Sequence, residues 1–155
     1  MAKVVLFSLG GQLYGVDALR VRSIERLQAL RPFPVKDRRV LGIVHIRGDV
    51  MPVVDLARIL GMNVPPDREC RRLLIMEAGG GEVAFAVDTV REVSDVDVKR
   101  AALSSVFDGI GKGNALCVEG ALLWHEEILL LLRPDSLLGR EAAAELSALA
   151  GGLPR

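Results

Sequence analysis

VLGIVHIRGDVMPVVDLARIL, residues 40–60, holds two apolar runs joined by Arg47-Gly48-Asp49 and closed by Asp55 ahead of a short helical pattern. LGIVHI and VMPVVDL have the length and β-branched content of strands, and the glycine at their join suits a tight turn, so the stretch reads as a β-hairpin. Pro52 has no backbone N–H to give a ladder, which predicts an edge position or a bulge for the second strand. Asp55 supplies a capping carboxylate for a helix over residues 56–60, and Gly61 ends it. An arginine at the tip of so apolar a hairpin is the feature that needs a reason.

The flanks repeat the pattern. KVVLFSL (3–9) and QLYGVDA (12–18) are separated by Gly10-Gly11, a pair suited to a hairpin turn. LRVRSIERL (19–27) alternates as a half-buried strand does, and RPFPVKDR (31–38) is a loop because its two prolines restrict their neighbours. NVPPDRECRR (63–72) is the connector between halves. Beyond it RLLIMEA, Gly79-Gly80-Gly81 and EVAFAVDTV form another glycine-turned hairpin. YGVDALR (14–20) lies over FAVDTVR (85–91), each the second strand of such a hairpin, which points to two similar small β-units. Short strands with glycine turns favour barrels, because closure removes exposed edges. The expected organisation is a single domain over 1–155 with approximate subdomains 14–66 and 67–134, while 1–13 and 135–155 complete the packing. Over 99–120 the glycines at 109, 111, 113 and 120 suggest loops around one or two strands. Residues 121–134 read as a final hairpin turning near Glu126-Glu127, or as a buried helix. Asp135 can cap a closing helix that tolerates Gly139, at a cost of about 1 kcal/mol, and stops at Gly151.

Composition excludes several functions. The 155 residues carry 20 basic and 20 acidic side chains, so no net charge attracts nucleic acid or an anionic membrane, and 4% aromatic residues leave few rings to stack on bases. Half the residues are hydrophobic, which means a generous core or apolar surface kept for a partner. MAKVVLFSLGG lacks the pattern of a signal peptide, so a cytoplasmic protein is expected. ALLWHEEILLLL (121–132) is interrupted by His125, Glu126 and Glu127 and is too short to span a bilayer, so no direct membrane insertion is expected.

No catalytic constellation stands out. Cys70 and Cys117 lack a CxxC spacing and read as free thiols. His45 and His125 have no second ligand at metal spacing. Ser104 and Ser105 lack the glycines of a nucleophile elbow, and GIGKG (109–113) lacks the Ser or Thr after the lysine of a phosphate loop. Asp17 and Asp88 each follow a strand and read as turn or capping residues rather than a carboxylate pair. Arg47-Gly48-Asp49 is also an adhesion tripeptide, but the chain shows no secretion signal. The reading is a binding module with no cofactor and no metal, not an enzyme.

Three stretches resemble the CheW-like domain of bacterial chemotaxis coupling proteins: FSLGGQLYGVDALRV (7–21), VLGIVHIRGDVMPVVDL (40–56) and VAFAVDTVREV (83–93). The resemblance runs over roughly residues 4–140. It implies a mainly β fold of two small five-stranded SH3-like β-barrels packed together, with a C-terminal helix. It further implies a non-catalytic scaffold in the cytoplasm that couples chemoreceptor signalling-tip helices in membrane-associated arrays to the regulatory domain of a CheA-type histidine kinase. Arg47 would sit beside a receptor groove lined by Val21, Ile24 and Gly42 and, on the second barrel, by Val90 and Val93; core packing is the alternative for the valines. An arginine suits that place because its fork binds carbonyls or carboxylates while its stem packs on apolar neighbours. The family's customary acid two residues after Val21 is replaced by Ser23, which leaves Glu25 as the other candidate partner for Arg47, and His45 stands where asparagine is usual. The alternative function is a β-barrel regulator that binds a small molecule and has lost these contacts.

Overall fold

The computed structural model describes residues 1–34, 36–65, 69–78, 80–103 and 117–138. In chain order the strands are β1 (Ala2–Leu9), β2 (Gln12–Asp17), β3 (Val21–Arg26), β4 (Val40–Ile46), β5 (Asp49–Asp55), β6 (Arg72–Ala78), β7 (Gly81–Val87), β8 (Thr89–Val96), β9 (Ala102–Leu103), β10 (Val118–Trp124) and β11 (Glu127–Leu132). The four-residue helix α1 (Leu56–Ile59) follows β5. Its cap is the one expected, with Asp55 accepting from Ala57 N at 3.1 Å.

The strands form two sheets, ordered β8-β1-β2-β11-β10-β9 and β3-β6-β7-β5-β4. Each has five long strands; β9 adds two residues to the first. Their order shows a reciprocal exchange between two halves of the chain. β1 and β2 form a hairpin in the first sheet, and the chain then crosses so that β3 pairs with β6 in the second. β6 and β7 form the matching hairpin in the second sheet, and β8 crosses back to pair with β1. The hairpins β4–β5 and β10–β11 are then added through parallel pairs, β5 on β7 and β11 on β2. The repeated Val-Asp marks the two crossing points. Asp17 accepts from Leu19 N at 3.0 Å and Asp88 from Gly10 N at 2.9 Å, so both carboxylates hold turns.

Alternation along the strands separates three cores. Val53, Leu73, Ile75 and Ala84 fill the interior of the second sheet, and Val4, Leu6, Leu13 and Leu129 that of the first. The opposite faces meet in a shared core around Phe7, Tyr14, Val54, Leu74 and Phe85, where the Phe7 and Tyr14 rings stack at 6.0 Å. At about 1.5–3 kcal/mol for each fully buried large side chain, this shared core is what holds the sheets together.

Several expectations change. The boundary expected at residues 66/67 falls inside the second sheet, whose strands run from Val21 to Val87, because β7 pairs with β5 across it. Leu19 and Arg20 belong to a 3-10 turn, Ala18–Arg20, rather than to a strand. Pro52 lies on neither an edge nor a bulge: β5 is flanked by β4 and β7, and the bulge is at Val40/Gly42. The proline is accommodated because its partner Ile43 spends its own backbone bonds on Arg31, and the ladder with β7 begins only at Val53. The last hairpin turns at His125-Glu126, one residue earlier than expected, and the helix alternative falls. Ser104, Ser105, the loop at 109–113 and the closing helix beyond residue 138 lie outside the described residues.

Candidate functional site

The hairpin tip is a two-residue turn in which Arg47 has φ 52° and Gly48 φ 86°, the paired positive values of a type I′ turn. Asp49 is the first residue of β5. The Arg47 side chain is 76% exposed and brings Nη2 to 3.1 Å from Glu25 Oε1, whose side chain is 15% exposed. That oxygen accepts no aligned hydrogen bond, so the pair is held by charge rather than by a directed bond. Glu25, not Ser23, is therefore the acid that Arg47 meets. β3 and β4 are opposite edges of the second sheet, and the ion pair ties the tip leaving β4 to β3. An exposed pair of this kind contributes up to about 1 kcal/mol, which leaves the guanidinium available for more than closure.

Register divides the expected groove residues. Ser23 and Glu25 pair with Ile75 and Leu73, whose side chains line the second sheet's own interior. A bulge at Arg22 then puts Val21 and Ile24 on the other face, opposite Met76 and Leu74 of the shared core. β8 repeats this arrangement: a bulge at Arg91 puts Val90 opposite Phe7 and Val93 opposite Val5, again on the shared core. Val21 and Val90 are half-buried against that core, whereas Ile24 and Val93 are 37% and 51% exposed at its rim. The four apolar residues thus share one core face, and Arg47 pairs across the edge strand with the opposite face. Gly42 is buried instead against the loop at Arg31, where a Cβ would stand 2.5 Å from the Arg31 carbonyl oxygen.

A further ion pair lies at the far end of β4 from the tip. Arg39 donates to Asp37 through Nε and Nη2, which holds the Asp37 carboxyl below its usual range, and the same turn starts β4. Sequence reasoning missed a second clasp: Arg91 of β8 reaches Glu127, at the start of β11, at 2.7 Å. The only signal for it was a charge beside each hairpin tip. Reactive chemistry is poorly served. Both thiols are buried, and burial pushes the Cys117 thiol up. Among the described residues no three His, Cys, Asp or Glu side chains gather as a metal site would require, and no helix is long and apolar enough to cross a membrane. His45 is exposed on β4, and His125 lies edge-on to Trp124 at 4.4 Å.

Two β-sheets sharing one core, with apolar side chains at its rim and charged clasps at the hairpin tips, define a protein that works by presenting surfaces to other proteins. Residues 3–142 match the family model for the CheW-like domain, and the chain belongs to that family. It is 37% identical over 154 residues to a chemotaxis protein CheW of Treponema pallidum, covering 95% of this chain and 88% of that one. It is 24% identical over 141 residues to one of Bacillus subtilis, covering 91% and 89%. Among solved structures, the scaffolding protein TtCheW of Thermoanaerobacter tengcongensis superposes with a TM-score of 0.76 at 25% identity, covering 89% of this chain and 88% of that one. The protein is a chemotaxis scaffold of the CheW family, and these relatives lend nothing to the small-molecule regulator.

Proposed function

We propose that this chain bridges chemoreceptor signalling tips and the regulatory domain of a CheA-type histidine kinase, and that it is recruited from the cytoplasm to membrane-associated receptor arrays. The receptor helix lies along Val21, Ile24, Val90 and Val93, with Gly42 behind the wall of the second sheet and Arg47 reaching the helix from the edge. The observation that carries this reading is the exposure of Ile24 and Val93, each two residues after the bulge of its strand, on the rim of one core. An apolar rim of that kind fits the apolar side of a helix, and an arginine fork beside it fixes orientation.

The test is binding of the purified protein to a cognate receptor signalling fragment and, separately, to the kinase regulatory domain. Arg47→Ala is expected to weaken the receptor about tenfold and leave the kinase unchanged. A folded wild-type protein that binds neither partner ends the coupling proposal.

A further inference from the structure

Beyond Ile24, the row of side chains on the shared-core face of β3 and β6 changes character. Arg26 follows on β3, and its partner directly across the ladder is Arg72 of β6. Like charges directly opposite on one face destabilise a sheet, so this pair costs the fold something. Neither arginine side chain has a hydrogen bond or ion pair with any of the described residues. Arg71 joins them, its backbone fixed on both sides by Leu27 N donating to the Arg71 carbonyl at 3.2 Å and Arg71 N donating to the Val87 carbonyl at 3.1 Å. The three arginines, with Leu27 and Val90, line an open cleft of about 640 Å³; Glu69, the one acidic side chain among its described lining residues, is paired with Arg71 at 3.2 Å. Among the described residues, a chain whose charges balance overall places three cations against one anion here.

We infer that this cleft receives acidic side chains of the partner helix, continuing the apolar rim into a cationic end. The inference rests on the groove reading above, because Val90 belongs to both surfaces. Charge complementarity selects the occupant: two guanidinium groups unpaired among the described residues, on a sheet ladder beside an apolar wall, bind carboxylates by charge-assisted, forked hydrogen bonds. The repulsion carried by the free protein is relieved when the acidic helix arrives. The cleft therefore sets which way the helix lies along the rim.

The experiment measures affinity for the receptor signalling fragment at low and high salt, using the full chain and Arg26→Gln/Arg72→Gln. Since the double variant removes repulsion, it is expected to unfold at or above the wild-type temperature. The inference predicts about tenfold weaker binding by this variant at low salt, with the difference closing at high salt. Wild-type affinity in the double variant at both salts, alongside lost binding in Ile24→Asp, overturns the cleft and keeps the groove. If the wild-type protein binds no receptor fragment, the groove reading fails, and titration with a short oligoglutamate peptide decides the cleft separately. Shifted Nε–H resonances of Arg26, Arg71 and Arg72 support it, and unmoved resonances overturn it.

Discussion

The hairpin tips Arg47-Gly48, between β4 and β5, and His125-Glu126, between β10 and β11, hold equivalent places in the two sheets and differ in chemistry. Each tip is tied to its sheet's edge strand by one ion pair, with the signs exchanged: the tip supplies Arg47 against Glu25 of β3 in one sheet, and Glu127 against Arg91 of β8 in the other. The first turn uses a glycine for its second positive φ. The second places His125 at 45° and Glu126 at 67°, a conformation that side chains adopt at a cost of about 1–2 kcal/mol each. Beside it the cross-strand pair Leu123 and Ile128 is 69% and 61% exposed, whereas the equivalent pair of β4–β5 is an exposed His45 opposite a half-buried Val50. Closure thus needs a pair of charges but not a given sign. The sign is left free for what each end must attract, and the two ends offer unlike surfaces, as a bridge between unlike partners requires.

Three changes break or sharpen this comparison. The largest effect is expected at Phe7, fully buried in the core that both halves share. Phe7→Ala costs about 3–5 kcal/mol in denaturant unfolding, and amide exchange should accelerate in both sheets together. Exchange confined to the first sheet would mean that the sheets are separate folding units. Next comes Gly15, which the Val-Asp repeat lays over Ala86. A Cβ on Gly15 would stand 2.6 Å from Val4 Cγ1, so Gly15→Ala is expected to lower stability by about 1–3 kcal/mol, although its counterpart already carries that methyl. A neutral result would show that Val4 yields and that the halves are more alike than their packing indicates. The smallest effect is expected from exchanging the clasp, Glu25→Arg with Arg47→Glu. Stability should change by less than about 1 kcal/mol, and receptor affinity should fall as it does for Arg47→Ala. Unchanged affinity would assign Arg47 to closure alone.

The hairpins and the repeat were legible because their signals are local: a glycine pair, an alternation, a Val-Asp ending a strand. The exchange of β3 and β8 was not, since residues 21–26 and 72–76 meet only through a register that no short window encodes. Pro52 misled for the same reason. Its fitness for an interior strand depends on Ile43 bonding to Arg31, in a loop nine residues before β4. Of the site, the arginine and the four apolar residues could be named from the resemblance, and Glu25 stood beside Ser23 as a possible partner. The placement of Val21 and Ile24 on one face of β3 and Glu25 on the other could not, because a bulge reverses the parity on which face assignment rests. The cleft arginines carried no signal in sequence, where Arg26 and Arg72 are far apart.

The exchanged strands also bear on ancestry and on assembly from pieces. Each half contributes a hairpin to one sheet and three long strands to the other, the second half adding the two-residue β9 as well, so neither half alone holds a complete sheet. Two polypeptides cut at the connector would have to find each other before either could bury its apolar face. A single half-length chain meeting its own copy would build this architecture as a symmetric dimer, and the present protein has the form of that dimer with its two copies joined end to end.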